Sequence, residues 1–530
     1  MEQKKYAQTG KTKLLEGDVI MRLPQVPYVI KQKQSEIVQI RGINYSADYE
    51  EGALAESRNI STRHFPYFST RRKRKLLENY AQATALTAWN KLIVVQNGRL
   101  FYDGKDVGAV SDGEKQFAVV NTKLVIWPDK VYYDIDEKVI KPLGAKASGT
   151  GGTFTANNLT VNWSVDFTTL FKAGDCVKIS GCTNTKDNNK DIVIKAVAAK
   201  VLTFEDDTTI AATETAEITI ERRIPDLDFI CESENRLWGC SNSDKSIFAS
   251  ALGDPTNFYV YQGVSTDGYA LAVGSEGDFT GCCKLSSSVL FWKNNVLHKI
   301  LGSYPAEYAL YSYNIEGVLT GCHKSMQVIN ETLFYMSSHG IYAYSGGTTS
   351  FVSYVFGEHQ YTEAVGGNDG NTYYLSAREG DKWHLFTYDL HNGIWLQEDN
   401  TQVIDFARIG KDIYFLSKNG KIYLEDCGED DADVESVMQF KPFFETVEGR
   451  KRFSKLILRV ELAKGSWLKA EVRCDDGRWV EIGRIVGEEC DTKVLPIAVN
   501  RCDKFEIRLT GKGQLTVKNI LRQFSVGGTA

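Results

Sequence analysis

The chain has 530 residues, 42% of them hydrophobic and 25% charged, which excludes a wholly disordered chain and one built of membrane spans. Its net charge of −6 excludes a protein whose whole surface grips nucleic acid. At roughly 150 residues per domain the length predicts three or four units, and 26 Tyr, 25 Phe, 9 Trp and 45 Gly against only 10 Pro and 5 Met predict short strands joined by tight turns. The 11 cysteines form no Cys-x-x-Cys pair, so neither a disulfide lattice nor a zinc ribbon is expected, and the thiols read as buried groups in a reducing compartment. Met1 to Lys5 lead into no apolar signal segment, and no run reaches the ~18 apolar residues of a spanning helix, so neither export by a standard signal nor a membrane anchor is expected.

Residues 1–85 show little apolar periodicity, and a stretch of that length is either mobile or held against something else. Near its end stand five consecutive basic residues, Arg71, Arg72, Lys73, Arg74 and Lys75. They are candidates for a subunit or DNA contact, although a short basic run is more often a solvent-facing one.

From residue 86 a motif recurs: a short apolar-aromatic strand, a turn, and a second such strand. It occupies residues 93–102, 125–133, 236–249, 289–298, 333–342, 372–388 and 413–423, giving seven hairpins. The equivalent positions Val289, Leu333, Tyr373 and Ile413 are 44, 40 and 40 residues apart. That step suits one four-stranded sheet per repeat. Asn97-Gly98, His339-Gly340 and Asn419-Gly420 supply the positive φ angles of tight hairpins. Further short strands, Gln116 to Val120, Phe229 to Cys231 and Val403 to Ala407, lie between the hairpins. The expected fold is mostly β, a six- or seven-bladed β-propeller over residues 86–145 and 223–430, with the outer strand possible to borrow from an N-terminal segment to close the ring. A series of β-sandwiches would not need so regular a step.

The period breaks once, because Val125 and Leu237 are 112 residues apart where one repeat needs about 40. The Thr-rich residues 146–222 therefore read as a small β-barrel or sandwich domain inserted in a blade loop. After the repeat, Glu425 to Glu435 hold seven carboxylates in an order that matches no calcium loop, which predicts a solvated linker. Residues 436–530 alternate apolar and charged positions, as in Lys455 to Leu462 and Lys504 to Leu509, and read as a C-terminal β-sandwich.

Few residues suggest catalysis. The histidines at 64, 298, 323, 339, 359, 384 and 391 form no metal-binding pair, and Cys322-His323 are neighbours whose side chains point apart. No phosphate-binding or dinucleotide motif is present, so no cofactor and no metal are expected, and the chain is expected not to be an enzyme.

Asp48 to Ser61 (DYEEGALAESRNIS) followed by Phe65 to Arg71 (FPYFSTR) resembles the opening of the tail hub or nozzle proteins of short-tailed bacteriophages. Asn235 to Cys240 with Ile247 to Phe258, and the closing Phe524 to Gly527, are similar to later parts of the same proteins. The resemblance implies a structural virion protein of the tail, assembled in the host cytoplasm. It would form a homo-oligomeric ring, usually a hexamer, below the portal and adaptor proteins, through which genomic DNA is ejected without sequence recognition. Residues 1–85 and the C-terminal sandwich would then dock on ring neighbours, and the insert would face tail fibre or spike proteins. A negative wall suits such a channel, since attraction to phosphates would retard passage. The competing expectation is a receptor- or glycan-binding propeller at the tail tip, with Trp383 and Trp395 as sugar platforms. A glycoside hydrolase would need two carboxylates facing one pocket.

Overall fold

The computed structural model describes residues 32–526 apart from 38, 49, 429–432, 446–448 and 488. Met1 to Lys5, Tyr49, Glu429 to Ala432 and Gly527, all used above, lie outside the described residues. The chain is mostly β; among the described residues the only helical elements are five single 3-10 turns.

All seven hairpins form, and each supplies the two middle strands of a four-stranded antiparallel sheet. The first sheet runs Ala83–Trp89, Lys91–Gln96, Arg99–Tyr102, Lys105–Ala109, and the second Gln116–Val120, Lys123–Trp127, Val131–Asp134, Val139–Pro142. The third to sixth begin with Phe229–Ser233, Phe279–Leu285, Gln327–Ile329 and Glu363–Asn368. The seventh has only three strands from its own stretch of chain, Val403–Ile409, Asp412–Ser417 and Ile422–Leu424. Its fourth is Lys75–Leu76, brought from the N-terminal side and paired with Tyr423 and Leu424.

The second strands Arg236–Ser241 and Ser288–Lys293 are buried at every residue, because sheets cover both of their faces. Such strands lose the polar alternation of a one-sided sheet and become short apolar-aromatic runs. Neighbouring sheets share apolar clusters: the first with the second through Ile93, Leu124 and Ile126, the third with the fourth through Trp238 and Phe291, the seventh with the first through Leu416 and Val94. Asn97 and Gly98 have φ of 50° and 69°, the paired left-handed turn that Asn-Gly predicts. At the two other quoted turns only the glycine, Gly340 or Gly420, is left-handed.

The insert is a closed six-stranded barrel from Ala145–Phe154 to Ala212–Arg222. It has its own core around Phe154, Phe167, Phe204 and Ile220. Ala145 and Arg222 lie opposite each other, so the barrel leaves and rejoins the chain at one point.

The N-terminal residues, expected to be either mobile or held against something else, are held against the chain itself from residue 32 onward. Gln32–Ile37 and Tyr67–Thr70 pair with Leu515–Val526, and Leu54–Arg58 pairs with Glu435–Phe440. They complete two C-terminal sheets that face each other over one core, where Phe453 stacks on Phe505 with ring centroids 3.8 Å apart. The same segment reaches the sixth sheet, where the Ile43 amide donates to the Trp395 carbonyl at 2.8 Å. What holds residues 32–76 is this chain's own C-terminal half. Ile60 and Phe68 are buried there, but each short strand offers too few apolar residues to show a period.

Candidate functional site

The first strands of the seven sheets converge on one region. A cavity of about 280 Å3 is lined by at least one residue from each: Thr87, Gln116, Ile230, Cys282, Gln327, Gly366 and Asp405. A larger cavity of about 660 Å3 adjoins it, sharing Lys324 and Val365, and is lined by Glu114, Glu363, Trp383 and the amide side chains of Gln82, Gln402 and Asn419.

Side-chain amides stitch adjacent first strands together. Gln116 Nε2 donates to Asp228 O at 2.7 Å, while its Oε1 accepts from Ile230 N at 3.0 Å. Gln327 Nε2 donates to Gly366 O at 2.9 Å and its Oε1 accepts from Asn368 Nδ2 at 2.8 Å. Between the seventh sheet and the first, Asp405 Oδ2 accepts from Leu86 N at 3.0 Å. These bonds satisfy backbone groups that a sheet-to-sheet seam would otherwise leave unpaired in a buried place.

Lys324 sits at the centre of the charged groups. Its Nζ lies 2.5 Å from Asp405 Oδ1 and 3.2 Å from Glu114 Oε1. Burial pushes the Asp405 carboxyl up to about 6, against the pull of Lys324, while Asp405 and Glu114 raise the Lys324 ammonium above its ordinary range in spite of burial. Both groups are therefore charged at neutral pH. His323 lies 3.5 Å from Glu114 and against the Phe229 ring, and burial lowers its pKa to about 4. Its neighbour Cys322 points elsewhere, with Sγ 3.7 Å from Thr362 O, so the two form no thiolate pair. Among the described residues no three His, Cys, Asp or Glu are grouped to hold a metal ion.

The basic run is not one exposed patch. Arg74 is largely buried and pairs with Glu398, with Asp399 and, at 2.6 Å, with Glu425. Burial opposes its charge, but the three carboxylates outweigh that effect and raise its pKa well above the ordinary value. Arg71 Nε donates to Asn59 Oδ1 at 2.8 Å, and Arg72 lies 3.7 Å from Asp426. Lys73 and Lys75 are exposed. Of the five candidate contact residues, Arg74 is thus taken up inside the chain, because the Glu398 and Glu425 carboxylates are buried around it. The acidic stretch is likewise no simple solvated linker at its start, since Glu425 is one of these partners.

The two tryptophans separate. Trp383 lines the larger cavity, whereas Trp395 is buried, donates from Nε1 to Val352 O at 2.9 Å and stacks on Tyr388 with centroids 4.6 Å apart. Sequence reasoning missed Gln116, Gln327, Lys324 and Asp405. The only signal for them was a polar residue at or near the start of a first strand.

No protein-family model matches the chain, and no curated protein matches it. Among solved structures it is similar to an exo-beta-1,3-galactanase from Phanerochaete chrysosporium with galactose, at 10% identity and a TM-score of 0.22, over 54% of this chain and 92% of that one. It is also similar to a glycoside hydrolase family 43 arabinoxylan arabinofuranohydrolase from Bacillus subtilis in complex with cellotetraose, at 8% identity and a TM-score of 0.19, over 91% and 96% of the two chains. Glycoside hydrolases are among the structures found, so the expectation that the chain is not an enzyme does not stand. At such TM-scores the likeness assigns neither an activity nor a fold in its turn.

Proposed function

We propose that this chain is a structural protein of a short-tailed bacteriophage tail, one subunit of a ring below the portal and adaptor through which the genome is ejected. The observation that carries this reading is the use made of the N-terminal segment on which the resemblance rests. Asp48 to Arg71 supplies the strands Leu54–Arg58, Ile60–His64 and Tyr67–Thr70 to the C-terminal sheets, and within a few residues the chain passes through Arg74 to the strand that completes the seventh sheet. One segment ties both halves into a single stiff body, which is what a wall under pressure from passing DNA requires.

In this reading the seven sheets are blades of a seven-bladed β-propeller closed by Lys75–Leu76. Support comes from the apolar clusters that neighbouring sheets share, seventh with first included, and from the cavity lined by all seven first strands. That cavity is only about 280 Å3 and has the Lys324–Asp405 pair in its lining, so DNA would run between copies of the chain and not along the axis of the sheets. The partners are then other copies, six in the ring, the portal and adaptor, and fibres or spikes reached by the barrel. Electron microscopy of the virion tests this: a six-fold ring at the neck or nozzle supports it, and copies confined to fibre tips overturn it.

A second reading, a glycan-binding surface at the tail tip, is favoured by the larger cavity, where Trp383 stands with three side-chain amides and the carboxylates of Glu114 and Glu363. An aromatic face beside amides and carboxylates is the chemistry that holds sugar rings and hydroxyls. Host surface polysaccharide that protects Trp383 from oxidation would support it, and unchanged oxidation would count against it.

A further inference from the structure

A third cavity, of about 360 Å3, lies at the outer edge of the third and fourth sheets and shares no lining residue with the two described above. Two connections form it. Residues 250–268 join Ser246–Ala249 to the outer strand Tyr269–Ala272 of the third sheet, and residues 302–308 join Leu297–Leu301 to the outer strand Ala309–Tyr313 of the fourth. The first connection supplies Tyr261, Ser265 and Asp267, the second Tyr304 and Pro305, and the third sheet's outer strand adds Tyr269.

A loop beyond ~12–15 residues with no strand or helix of its own is uncommon and is usually either functional or unordered. The connection 250–268 is that long, yet it is held from inside. Arg236 is buried, and its Nη1 donates to Ser250 O at 2.8 Å and to Asp267 O, while its Nη2 donates to Ser265 O at 2.6 Å. The buried Asp267 turns back on the loop, its Oδ2 accepting from the amides of Gln262, Gly263 and Val264 at 2.5, 2.6 and 3.1 Å. Gly263 takes φ 82° in that turn, and Gly268 N donates to Val260 O at 3.0 Å. In the second connection Tyr308 packs edge-on against both Trp238 and Tyr269, with ring centroids 5.1 Å apart in each pair, and so anchors the 3-10 turn Pro305–Glu307.

On this fixed backbone large side chains stand out in water: Tyr261 is 55% exposed, Val264 51% and Tyr304 38%. A cavity of this volume falls within the ~300–1,000 Å3 of small-molecule sites, and a backbone already held in place lowers the ordering cost of binding. Asp267 is the only charged side chain in the lining, and it is committed to the loop's own amides. An ionic ligand would therefore find no counter-charge. What the cavity offers is tyrosine faces, phenol and serine hydroxyls and peptide groups. That combination suits a sugar ring, whose apolar face stacks on tyrosine while its hydroxyls exchange hydrogen bonds with the rim.

We propose that this cavity binds an uncharged hexose residue of an oligosaccharide, with Tyr261 and Tyr304 as the stacking faces. The site is separate from the cavity that holds Trp383, and it does not depend on the function proposed above.

The test is saturation-transfer difference NMR of the full chain with maltohexaose, cellohexaose and mannohexaose, each titrated alone, and with decaproline as an uncharged peptide probe. The expected result is saturable transfer to the ring protons of at least one hexaose, weakened about tenfold in Kd by Tyr261→Ala and by Tyr304→Ala, since each removes one stacking face. Tyr261→Phe keeps the face and should stay within about threefold of the native chain. Trp383→Ala should leave binding unchanged, which separates this site from the larger cavity. Should an alanine variant fail to fold, nitration of Tyr261 and Tyr304 in the native chain, slowed by the bound hexaose, gives the same answer. No transfer to any of the three hexaoses, binding unmoved by both alanine variants, binding lost with Trp383→Ala alone, or transfer to decaproline in their place overturns the proposal.

Discussion

The seven-sheet repeat and the unit built from the two ends of the chain are made of the same kind of strand, yet they are held in opposite ways. In the repeat nearly every strand pairs with its neighbour in sequence, as Leu333 does with Tyr344. In the terminal unit Gln32 pairs with Ser525 and Arg58 with Val437, so closure spans most of the chain. Local pairing costs little loop entropy and leaves a period in the sequence; distant pairing leaves none. The two regions meet at Arg74, where the carboxylates of Glu398 and Asp399 from the sixth sheet and Glu425 beyond the seventh surround one guanidinium.

That joint is where the contrast breaks most readily. Arg74→Met removes the cation and leaves Glu398 and Glu425 buried without compensation, and loss of one partner of a buried ion pair costs about 3–5 kcal/mol. Denaturant unfolding should show this loss and a separation of the single transition into two, one for each region. A single unshifted transition would show that the regions do not depend on Arg74. Arg74→Lys should recover little, since one ammonium cannot serve three carboxylates as a guanidinium fork does.

Arg74 also marks the limit of what the sequence makes legible. The hairpins at residues 93–102 and 413–423, their step and the interrupted interval are visible because apolar-aromatic strands and Asn-Gly turns are local facts. The insert's bounds follow for the same reason, since the barrel starts at Ala145 and ends at Arg222. Arg74 in its basic run looks like surface, because the buried Glu398 lies more than three hundred residues away. Lys324 and Asp405, and the amides of Gln116 and Gln327, are invisible for that reason too: each acts across a seam between sheets, and nothing in its own stretch of chain announces the partner.

A smaller effect comes from inside the repeat and acts through pH. His298 of the fourth sheet is buried, with Nε2 2.7 Å from Ser275 Oγ and Nδ1 2.7 Å from Ser312 Oγ. Burial, reinforced by Lys293, lowers its pKa to about 4 from an ordinary 6.5. Between these values the unfolded chain binds the proton and the folded chain does not, so stability is present above pH 6.5 and is lost as pH falls towards 4. At 1.36 kcal/mol per unit the loss is at most about 3 kcal/mol. Asp405, raised to about 6, acts in the opposite direction between that value and its ordinary 3.8, while His323, lowered to about 4, acts in the same direction as His298, so His298→Asn should reduce the loss of stability on acidification from pH 6.5 to 4. Thermal unfolding of the native and substituted chains across this range checks the reduction.

Removal of the barrel should matter less. Joining Ala145 to Arg222 through a short Gly-Ser linker deletes a unit with its own core, whose ends are already neighbours. What the repeat loses includes the hydrogen bonds of Asp175 and the Cys176 amide with Asn257, 3.1 and 3.2 Å, and the ion pairs Lys172–Asp254 at 2.7 Å and Arg223–Asp191 at 2.6 Å, worth together on the order of 3 kcal/mol. A deleted chain that still unfolds in one transition within that margin would sharpen the contrast, placing the barrel outside both cooperative regions. Failure to fold would make the barrel part of the repeat.

The smallest effect tests whether local turns are what make the repeat self-sufficient. Gly98 closes the second hairpin turn of the first sheet at φ 69°, and a Cβ placed there would meet only Val110 O at 3.4 Å and the Asp112 side chain at 3.7 Å. Space is not the obstacle, so Gly98→Ala should cost only the left-handed backbone term, about 1 kcal/mol. The same substitution at Gly420 brings Cβ to 2.5 Å from Gln82 Cα, part of the segment that leads from the closing strand into the first sheet, and should cost more than Gly98→Ala by a margin set by that clash. Equal costs at the two glycines would mean that the seventh sheet tolerates movement where the distant strand closes it, and the difference drawn between local and distant pairing would then rest on Arg74 alone.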